Sequence, residues 1–570
     1  MNFSKKVTAS ILACTFLCSA FTCFSAFGEN ESYSKKYEAE EGTLSSSGVK
    51  VRTDIEGYSG TGYVGEFSTS NSVLEIPFEV PSDGKYQITV VNNCSGNYKE
   101  NNAFVDNKAI GTIYSYETKD WQSSVFYSID LTKGEHTFKI TKNWGYFNVD
   151  YILVENGSAI SSSVYDVDAT LCNPNANDDA KRLMRFLVDN YGTNVITGQY
   201  CSKDNVEFAP EYTALTKGTG KAPAILGFDM MEYSTSRLPH LGGYETLKIT
   251  ENAINWATEF GGIVTYCWHW TPAEEYLYKN NKPWYSGFYT DATTFDIKAA
   301  MSGEDEFGYE SIIKDIDAIA VELQKLEDAG VAVLWRPLHE ASGGWFWWGT
   351  DRESCIDLWK LLYDRLTNVH GLDNLIWVWN GQRANWYPGD EYVDIIGEDI
   401  YADNGDTSSQ MARFNLARSY SSNKMICLSE NGVIPDIDNM KADNILWSWF
   451  AVWNGSFIHK NASLSGAYTP IESIVKTYNS ENVVTLDELP DLKTYPLEGT
   501  DPVGTTYVPS GIKGDINADK TLDIVDVVLA RSHIVGNSVL SKAKLEVADM
   551  NGDNDLDILD VVLMRAEIVA

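Results

Sequence analysis

The chain is short of positive charge. Lys and Arg number 44 against 80 Asp and Glu, a formal charge of −36 over 570 residues. Such a chain is repelled by nucleic acid and by anionic membranes, both polyanions. It is also poor in cysteine. Cys14, Cys18 and Cys23 fall in an N-terminal segment expected to be removed, and Cys94, Cys172, Cys201, Cys267, Cys355 and Cys427 are scattered. These six form no metal-ligand cluster and no disulfide scaffold; one or two disulfides remain open, with no pairing readable from spacing. After residue 28 no segment is long and apolar enough to span a bilayer. No Gly-rich phosphate loop follows the first strand of the α/β region, which argues against a dinucleotide-binding open sheet.

What is abundant is aromatic surface. Phe, Trp and Tyr make up 12% of the chain, with 17 Trp and 32 Tyr. With the acidic balance, this points to a neutral, flat-faced ligand such as carbohydrate. Hydrophobic residues at 44% are enough for full cores, and the length is too great for one domain.

The chain divides into segments. Lys5 and Lys6 precede an apolar stretch from Val7 to Phe27, and Ala26 and Gly28 suit a cleavage site. Residues 1–28 are therefore expected to be a secretory signal and the mature chain extracellular, with no membrane attachment. Residues 36–156 read as an all-β sandwich. Leu74-Glu-Ile-Pro-Phe alternates, Tyr86-Gln-Ile-Thr-Val-Val runs apolar, and turns such as Ser82-Asp-Gly separate the strands. A Ser-rich stretch, 158–163, makes a boundary.

Residues 166–490 carry eight apolar runs of strand length: Asn194–Gln199, Pro223–Met231, Gly262–His269, Val331–Glu340, Leu375–Asn380, Val393–Tyr401, Met425–Gly432 and Trp447–Gly455. Amphipathic stretches of helix length lie between many of them, clearest at Asp178–Asn190, Glu245–Phe260, Tyr309–Ala329 and Ser354–Val369. The alternation predicts an α/β fold, a (β/α)8 TIM barrel. Residues 491–513, rich in Pro, Gly and Thr, read as a linker.

The tail, 514–570, repeats itself after 34 positions. Asp515-Ile-Asn-Ala-Asp-Lys-Thr-Leu-Asp-Ile-Val-Asp is matched by Asp549-Met-Asn-Gly-Asp-Asn-Asp-Leu-Asp-Ile-Leu-Asp, each followed by Val-Val-Leu. Oxygen ligands at alternating positions, closed by a carboxylate at position twelve, suit Ca²⁺. In the first loop they are Asp515, Asn517, Asp519, Thr521 (backbone carbonyl), Asp523 and Asp526. In the second they are Asp549, Asn551, Asp553, Asp555 (backbone carbonyl), Asp557 and Asp560. Asp at position twelve resembles the dockerin domain of cellulosomal enzymes, a small all-α calcium-binding module. The resemblance implies a cohesin of a scaffoldin as partner. Position six, usually Gly, is Lys520 or Asn554. Positions ten and eleven are apolar (Ile524-Val525 and Ile558-Leu559), which implies a partner preference different from the familiar Ser/Thr type.

Within the barrel segment, Trp335-Arg-Pro-Leu-His-Glu ends a buried run in a charged cluster, and Trp345-Phe-Trp-Trp follows. Four successive aromatics are costly to leave in water without a ligand, and would wall a cleft beside Glu340. Glu430 closes the seventh candidate strand. Glycoside cleavage needs one protonated acid and one ionised carboxylate, and reactive groups of a barrel gather at strand ends. Glu340, beside His339 and the indoles, is expected to have a raised pKa. In a chain with 80 acids, placement alone does not single out this pair, and a non-catalytic glycan-binding protein remains open.

The flanking motifs narrow the choice. Arg336-Pro-Leu-His-Glu with Trp345-Phe-Trp-Trp-Gly resembles glycoside hydrolase family 26, the β-mannanases of a retaining barrel clan, over roughly 170–480. Further landmarks are Gly227-Phe-Asp, Trp268-His-Trp, Glu398-Asp-Ile-Tyr, Ser429-Glu-Asn-Gly and Ala451-Val-Trp-Asn-Gly. The resemblance implies an endo-β-1,4-mannanase acting on mannan of the plant cell wall, needing no catalytic cofactor. It makes Glu340 the acid/base and Glu430 the nucleophile. His339 would orient the site, Tyr401 would bond the nucleophile, and His269 and Trp453 would line the sugar floor. Trp270, Trp345 and Trp348 complete the implied substrate-binding set. His269 taken alone reads as an ordinary satisfied histidine. The loop Ala341-Ser-Gly-Gly carries fewer polar groups than in some relatives. Mixed-linkage β-glucan and β-1,3-xylan stay open as substrates.

In the N-terminal segment, Tyr37-Glu-Ala-Glu, Gly57-Tyr-Ser-Gly-Thr-Gly-Tyr-Val-Gly and Asn148-Val-Asp-Tyr-Ile resemble carbohydrate-binding modules of family 35 or the related family 6. The resemblance implies a structural Ca²⁺ held by Glu38, Glu40 and Asp150, and a sugar platform at Asn143 and Trp144. Alone, Glu38 and Glu40 read as surface charge and Trp144 equally as a core-edge residue.

Overall fold

The computed structural model describes residues 33–497 and 510–568, apart from 95, 97–98, 116–117, 119, 158–161, 244–246, 422, 518–519, 535–539, 541 and 554. The expected signal segment 1–28, most of the linker, Asp519 and Asn554 lie outside the described residues. The chain forms two compact units, divided at Ser158.

The first unit is an antiparallel sandwich. One sheet runs Val49–Arg52, Tyr63–Glu66, Asn148–Asn156, Gly84–Asn93, Gln122–Leu131, with Ser34–Glu38 also paired to Asn148–Asn156. The other runs Thr43–Leu44, Val73–Val80, Gly134–Lys142, Lys99–Val105, Lys108–Ser115. Strand Val73–Val80 shows why the two sheets face each other. Leu74, Ile76, Phe78 and Val80 are buried while Pro77 and Glu79 face out, the period-two pattern of a half-buried strand. They join Ile88, Val90, Phe138, Ile140, Ile152 and Val154 in one core.

The second unit contains the barrel. Its strands, in order, are Val195–Tyr200, Ile225–Asp229, Ile263–Cys267, Val333–Arg336, Leu375–Trp379, Ile395–Ile400, Met425–Asn431 and Trp449–Val452. All neighbours are parallel, and the eighth pairs with the first, so the sheet closes. Almost every strand residue is buried, as expected of strands covered on both faces. Helices follow the first four strands and the last three: Pro210–Thr219, Ile249–Thr258, Glu306–Asp328, Arg352–Tyr363, Met411–Arg418, Ile437–Asp443 and Ile471–Tyr478. The fifth connection has only short 3₁₀ turns, Ala384–Trp386 and Asp390–Tyr392. Helix Asp178–Asn190 precedes the barrel. Asn177 caps it by accepting the Ala180 N–H, and its buried face is Leu183, Met184, Phe186 and Leu187.

Two expectations need correcting. The fourth strand ends at Arg336, not at Glu340, because Pro337 removes the next backbone donor. And Cys172, Cys201, Cys267, Cys355 and Cys427 are unpaired thiols, so none of them supplies a disulfide.

The described tail holds helices Ile524–Ile534, Lys542–Ala548 and Ile558–Ile568. Val527, Ala530, Val561 and Met564 form its core with Ile516, Leu540 and Ala548. Among the described residues, no helix is long and apolar enough to cross a membrane.

Candidate active site

The C-terminal strand ends bring a set of buried charges together. Arg336, at the end of the fourth strand, is fully buried. Its Nη2 donates to Glu430 Oε2 and its Nη1 to Asp399 Oδ2, both at 2.7 Å. The guanidinium also reaches Tyr200 Oη at 3.2 Å and Asn380 Oδ1 at 3.5 Å. A planar fork with several donors can hold two carboxylates at once, which a lysine cannot. Tyr401 donates its hydroxyl to the other oxygen of Glu430. Both oxygens of Glu430 are therefore held, one by a cation and one by a phenol.

Glu340 approaches from the loop after the fourth strand. Leu338 and Glu340 both have positive φ, 51° and 52°, a conformation costly for residues with a Cβ. The Glu340 N–H donates to the backbone oxygen of Asn380 at 2.8 Å and to its Oδ1 at 2.9 Å, which fixes the reversal. One oxygen from each of Glu340, Asp399 and Glu430 lies within 4.8 Å of the others. Burial, and then the charge of Glu430, push the Glu340 carboxyl up to about 7. Trp345 Nε1 donates to Glu340 Oε2 at 2.8 Å and opposes that shift. Burial, with the charge and hydrogen bond of Glu430, also raises the Tyr401 phenol, so it stays a donor. Burial raises Asp399 too, against the pull of Arg336.

A relay lies beside the acids. Asp229 Oδ2 accepts from His269 Nδ1 at 2.6 Å, and His269 Nε2 sits 3.3 Å from His339 Nε2. Burial works against protonation of His269, but the Asp229 charge outweighs it and raises the group. Burial, then Arg336 and His269, lower His339 well below the usual range. Asp229 thus favours the protonated form of His269 while His339 favours the neutral form, an arrangement suited to a hydrogen bond from His269 Nε2 to His339 Nε2.

The aromatic residues divide by exposure. Trp345 is 46% exposed and Tyr401 also 46%, both open to the cleft. Trp453 is half-buried, packed on Tyr200 at 4.9 Å and His269 at 5.8 Å between ring centroids. Trp270 and Trp348, expected to bind substrate, are buried. Trp270 donates to Asp315 Oδ2 at 2.7 Å and stacks on Trp268 at 4.0 Å. Trp348 donates to the His339 carbonyl at 2.9 Å and stacks on Phe346 at 4.5 Å. Phe346 and Trp347 are buried with them, so Trp345 alone of the four successive aromatics faces the cleft. Indoles with an internal acceptor have no need of solvent or ligand. His339 is likewise buried and holds the site from behind.

The sequence reading missed Asp399, Asn380, Tyr200 and Asp229. A signal existed for each: a polar side chain at or just after the end of an otherwise apolar barrel strand. Asp399 even lies within the Glu398-Asp-Ile-Tyr landmark.

In the sandwich unit, Glu38, Glu40 and Asp150 gather round the turn at Ser59. Ser59 N donates to Asp150 Oδ1 at 2.9 Å, and its hydroxyl to Glu38 Oε2 at 2.6 Å. Thr61 N donates to Glu40 Oε1 at 2.6 Å. Gly60 has φ +66°, and a Cβ there would lie 2.2 Å from Glu40 Oε1, so the turn requires glycine. Burial, then the neighbouring carboxylates, raise Asp150 to about 6. Across the module, Asn101 Oδ1 accepts from Asn143 N at 3.1 Å and Gly145 N at 2.9 Å. Asn143 is exposed, and this clamp leaves Trp144 50% and Tyr146 60% exposed on one short loop. Tyr146 was not foreseen.

In the tail, the two acidic loops are wired alike. Asp526 Oδ1 accepts from Ile516 N at 2.8 Å and Asn517 N at 3.3 Å, and its Oδ2 from Asp523 N at 2.9 Å. Asp560 Oδ1 accepts from Met550 N at 2.8 Å and Asn551 N at 3.2 Å, and its Oδ2 from Asp557 N at 2.9 Å. Asp515, Asp526, Asp549 and Asp560 are buried. Thr521, Asp523, Asp553, Asp555 and Asp557 lie along the same two loops. Lys520 adopts φ +74°, so position six takes the left-handed turn in spite of its side chain.

A closed parallel barrel with two carboxylates converging at its C-terminal rim, Glu340 with a raised pKa and Glu430 paired with Arg336, defines a glycoside hydrolase. Residues 172–488 match Glycosyl hydrolase family 26, and residues 35–157 match Carbohydrate binding module (family 35). The chain belongs to glycosyl hydrolase family 26. It is 39% identical to a mannan endo-1,4-beta-mannosidase of Thermothelomyces thermophilus, over 80% of this chain and 90% of that protein. It is 36% identical to mannan endo-1,4-beta-mannosidase B of a Piromyces species, over 83% and 81%. The crystal structure of the Podospora anserina GH26-CBM35 β-(1,4)-mannanase covers 81% of this chain and 99% of its own, at 36% identity and a TM-score of 0.55.

Proposed function

We propose that the barrel is an endo-β-1,4-mannanase working with retention, Glu340 as acid/base and Glu430 as nucleophile. The observation that carries the reading is the approach of the Glu340 and Glu430 oxygens to within 4.8 Å. Retaining sites hold their carboxyls about 5–5.5 Å apart, against roughly 6.5–9.5 Å where a water must fit between. The substrate is inferred from relatives that bear the mannosidase name.

In this mechanism Glu340 starts protonated and gives its proton to the leaving oxygen. Glu430, paired with Arg336 and aimed by Tyr401, attacks the anomeric carbon. Once Glu430 is esterified its charge is gone, and the repulsion that raised Glu340 goes with it. Glu340 then falls in pKa and becomes the base that takes a proton from water. Trp345 and Trp453 stack on the sugars either side of the cleaved bond, and His269, held by Asp229 and His339, packs against Trp453 and supports it. Hydrolysis of mannan, barley β-glucan and β-1,3-xylan, with the first anomer followed by NMR, tests the reading. A β-glucan or β-1,3-xylan preference, or an inverted first product, would overturn it.

The other parts extend this reading. Residues 1–28 act as a secretory signal, so the enzyme works outside the cell. The sandwich unit binds mannan through Asn143, Trp144 and Tyr146. Glu38, Glu40 and Asp150 would hold a structural Ca²⁺; the donor set fits, since Glu40 Oε2 is buried without a hydrogen-bond partner and three carboxylates surround one turn. The tail is a dockerin, with loops Asp515–Asp526 and Asp549–Asp560 as its Ca²⁺ ligands and a scaffoldin cohesin as partner. Support comes from the matching wiring of the two loops, and from Ile558, Leu559 and Val562, which stand exposed on one helix.

A further inference from the structure

Past Trp345 the surface opens into a pocket of about 720 Å³ that the catalytic residues do not line. It falls within the roughly 300–1,000 Å³ usual for small-ligand sites. Its walls come from the acid-bearing loop, at Gly344 and Trp345, and from the connection after the third barrel strand, at Lys279, Asn280, Lys282 and Tyr289–Asp291. We propose that this pocket binds the leaving-group side of the polysaccharide beyond the sugar on Trp345, with Tyr289 and Lys282 as its specificity-determining residues. The proposal rests on Glu340 being the acid.

Direction follows from chemistry. The leaving oxygen lies on the side of the acid, and Trp345 donates to that acid. The groups round Glu430, namely Tyr401, Arg336, His269 and Trp453, take no part in the pocket. A chain threaded past Glu340 in the direction of Trp345 therefore enters it with its departing half.

The pocket is also built. Thr290 N donates to the Trp345 carbonyl at 2.8 Å and Thr290 Oγ1 to the Gly344 carbonyl at 3.0 Å, so its far wall is fastened to the acid loop. Tyr289 is 41% exposed, its inner face stacked on buried Phe346 at 5.6 Å. A fixed ring with one open face is a stacking platform for a pyranose. Tyr278, Asn280 and Asn281 all have positive φ, 64°, 55° and 57°. Such backbone strain persists where the surroundings over-determine it, and it clusters at binding sites. Two clips hold this strap: Lys279 Nζ to the Thr290 carbonyl at 3.0 Å, and Asn280 Nδ2 to the Asp291 carbonyl at 2.9 Å. On the rim, Lys282 pairs with Asp291 at 3.1 Å. An exposed pair of this kind adds little stability. It does set a donor beside an acceptor, the pattern that vicinal hydroxyls of a neutral sugar satisfy.

The test uses the full-length enzyme and two substrates, mannohexaose and dinitrophenyl β-mannobioside, whose leaving group is no sugar. For Tyr289→Ala and Lys282→Met, kcat/KM is expected to fall about tenfold more on mannohexaose than on the aryl glycoside. Cleavage of mannohexaose in ¹⁸O-water, read by mass spectrometry, should shift towards shorter departing fragments. Equal losses on both substrates would mean that the wall merely supports the acid loop, and would overturn the proposal. So would an unchanged rate and cleavage pattern on mannohexaose. Lys282 is a surface residue, so its variant keeps the test usable if Tyr289→Ala fails to fold. If the unmodified enzyme cleaves another β-glycan instead, the mannanase reading fails by itself, and the same ratio is measured with that glycan's oligosaccharide and aryl glycoside. An enzyme that cleaves no glycan overturns both.

Discussion

The indole Nε1 of Trp345 donates to Oε2 of Glu340 over 2.8 Å. The proposed sugar platform and the proposed acid are thus one hydrogen-bonded unit, so a change to the ring should be felt in the titration of Glu340.

The first expectation concerns pH. With Glu340 at about 7, kcat/KM on mannan should fall on the alkaline side with a midpoint near 7. The Trp345 bond favours the charged form, so Trp345→Phe should move that midpoint upward. A pH–rate profile that stays in place, or moves down, would contradict the assignment of the acid.

Stability should show the same group. The folded state keeps the Glu340 proton up to about 7, whereas the reference carboxyl loses it near 4.5. The group's contribution to stability is therefore full below 4.5 and is lost as pH rises through 7. Above 7 a buried carboxylate remains as a cost that an amide does not carry. Glu340→Gln should raise the melting temperature more at pH 8 than at pH 4, as measured by calorimetry.

Removing the acid should be reversible by chemistry. Glu340→Ala should lower turnover on mannan by about 10²–10⁴-fold, the usual worth of general acid catalysis. On a dinitrophenyl glycoside, azide should restore rate and give a β-azide product, because that leaving group needs no proton. Glu430→Ala should lose turnover on both substrates, with no β-azide formed.

The sandwich unit should matter for solid substrate alone. Trp144→Ala and Tyr146→Ala should each weaken retention on insoluble mannan by roughly threefold to tenfold, in line with about 0.5–1.5 kcal/mol per aromatic contact. Hydrolysis of soluble mannohexaose by the same variants should match the parent enzyme.

The tail should respond to Ca²⁺. Circular dichroism of residues 510–570 is expected to gain helix when Ca²⁺ replaces EDTA, since binding and folding are coupled in such loops. Lys520 occupies a left-handed turn at a cost of about 1 kcal/mol. Lys520→Gly should therefore tighten Ca²⁺ binding several-fold by calorimetry. A spectrum blind to Ca²⁺ would end the calcium assignment.

The sequence carried the barrel well, for a plain reason. Strands buried on both faces are unbroken apolar runs, so all eight could be read within a few residues, and helix Asp178–Asn190 agrees at both ends. The fifth connection, without an α-helix, left no periodicity to read. Composition also misled. Trp270 and Trp348 look like ligand-binding indoles until their N–H groups are found on internal acceptors. Asp399 was passed over because a lone acid in an acidic chain says little, and only the fold brings it to the guanidinium of Arg336. The strap from Lys279 to Asp291 was unread because its only regular structure is two single 3₁₀ turns, Lys279–Asn281 and Trp284–Ser286, too short to show a periodicity.

Arg336 meets Tyr200 of the first strand, Glu430 of the seventh, Asp399 of the sixth, and Asn380 just past the fifth, from its own place on the fourth. Five staves of the barrel are laced by one cation at their rim. A slip of any of them would displace Glu430 before it exposed the core. Catalytic rate is then a finer gauge of the barrel's closure than any spectroscopic signal of unfolding, and mild heat or denaturant should silence the enzyme while most of its helices still stand.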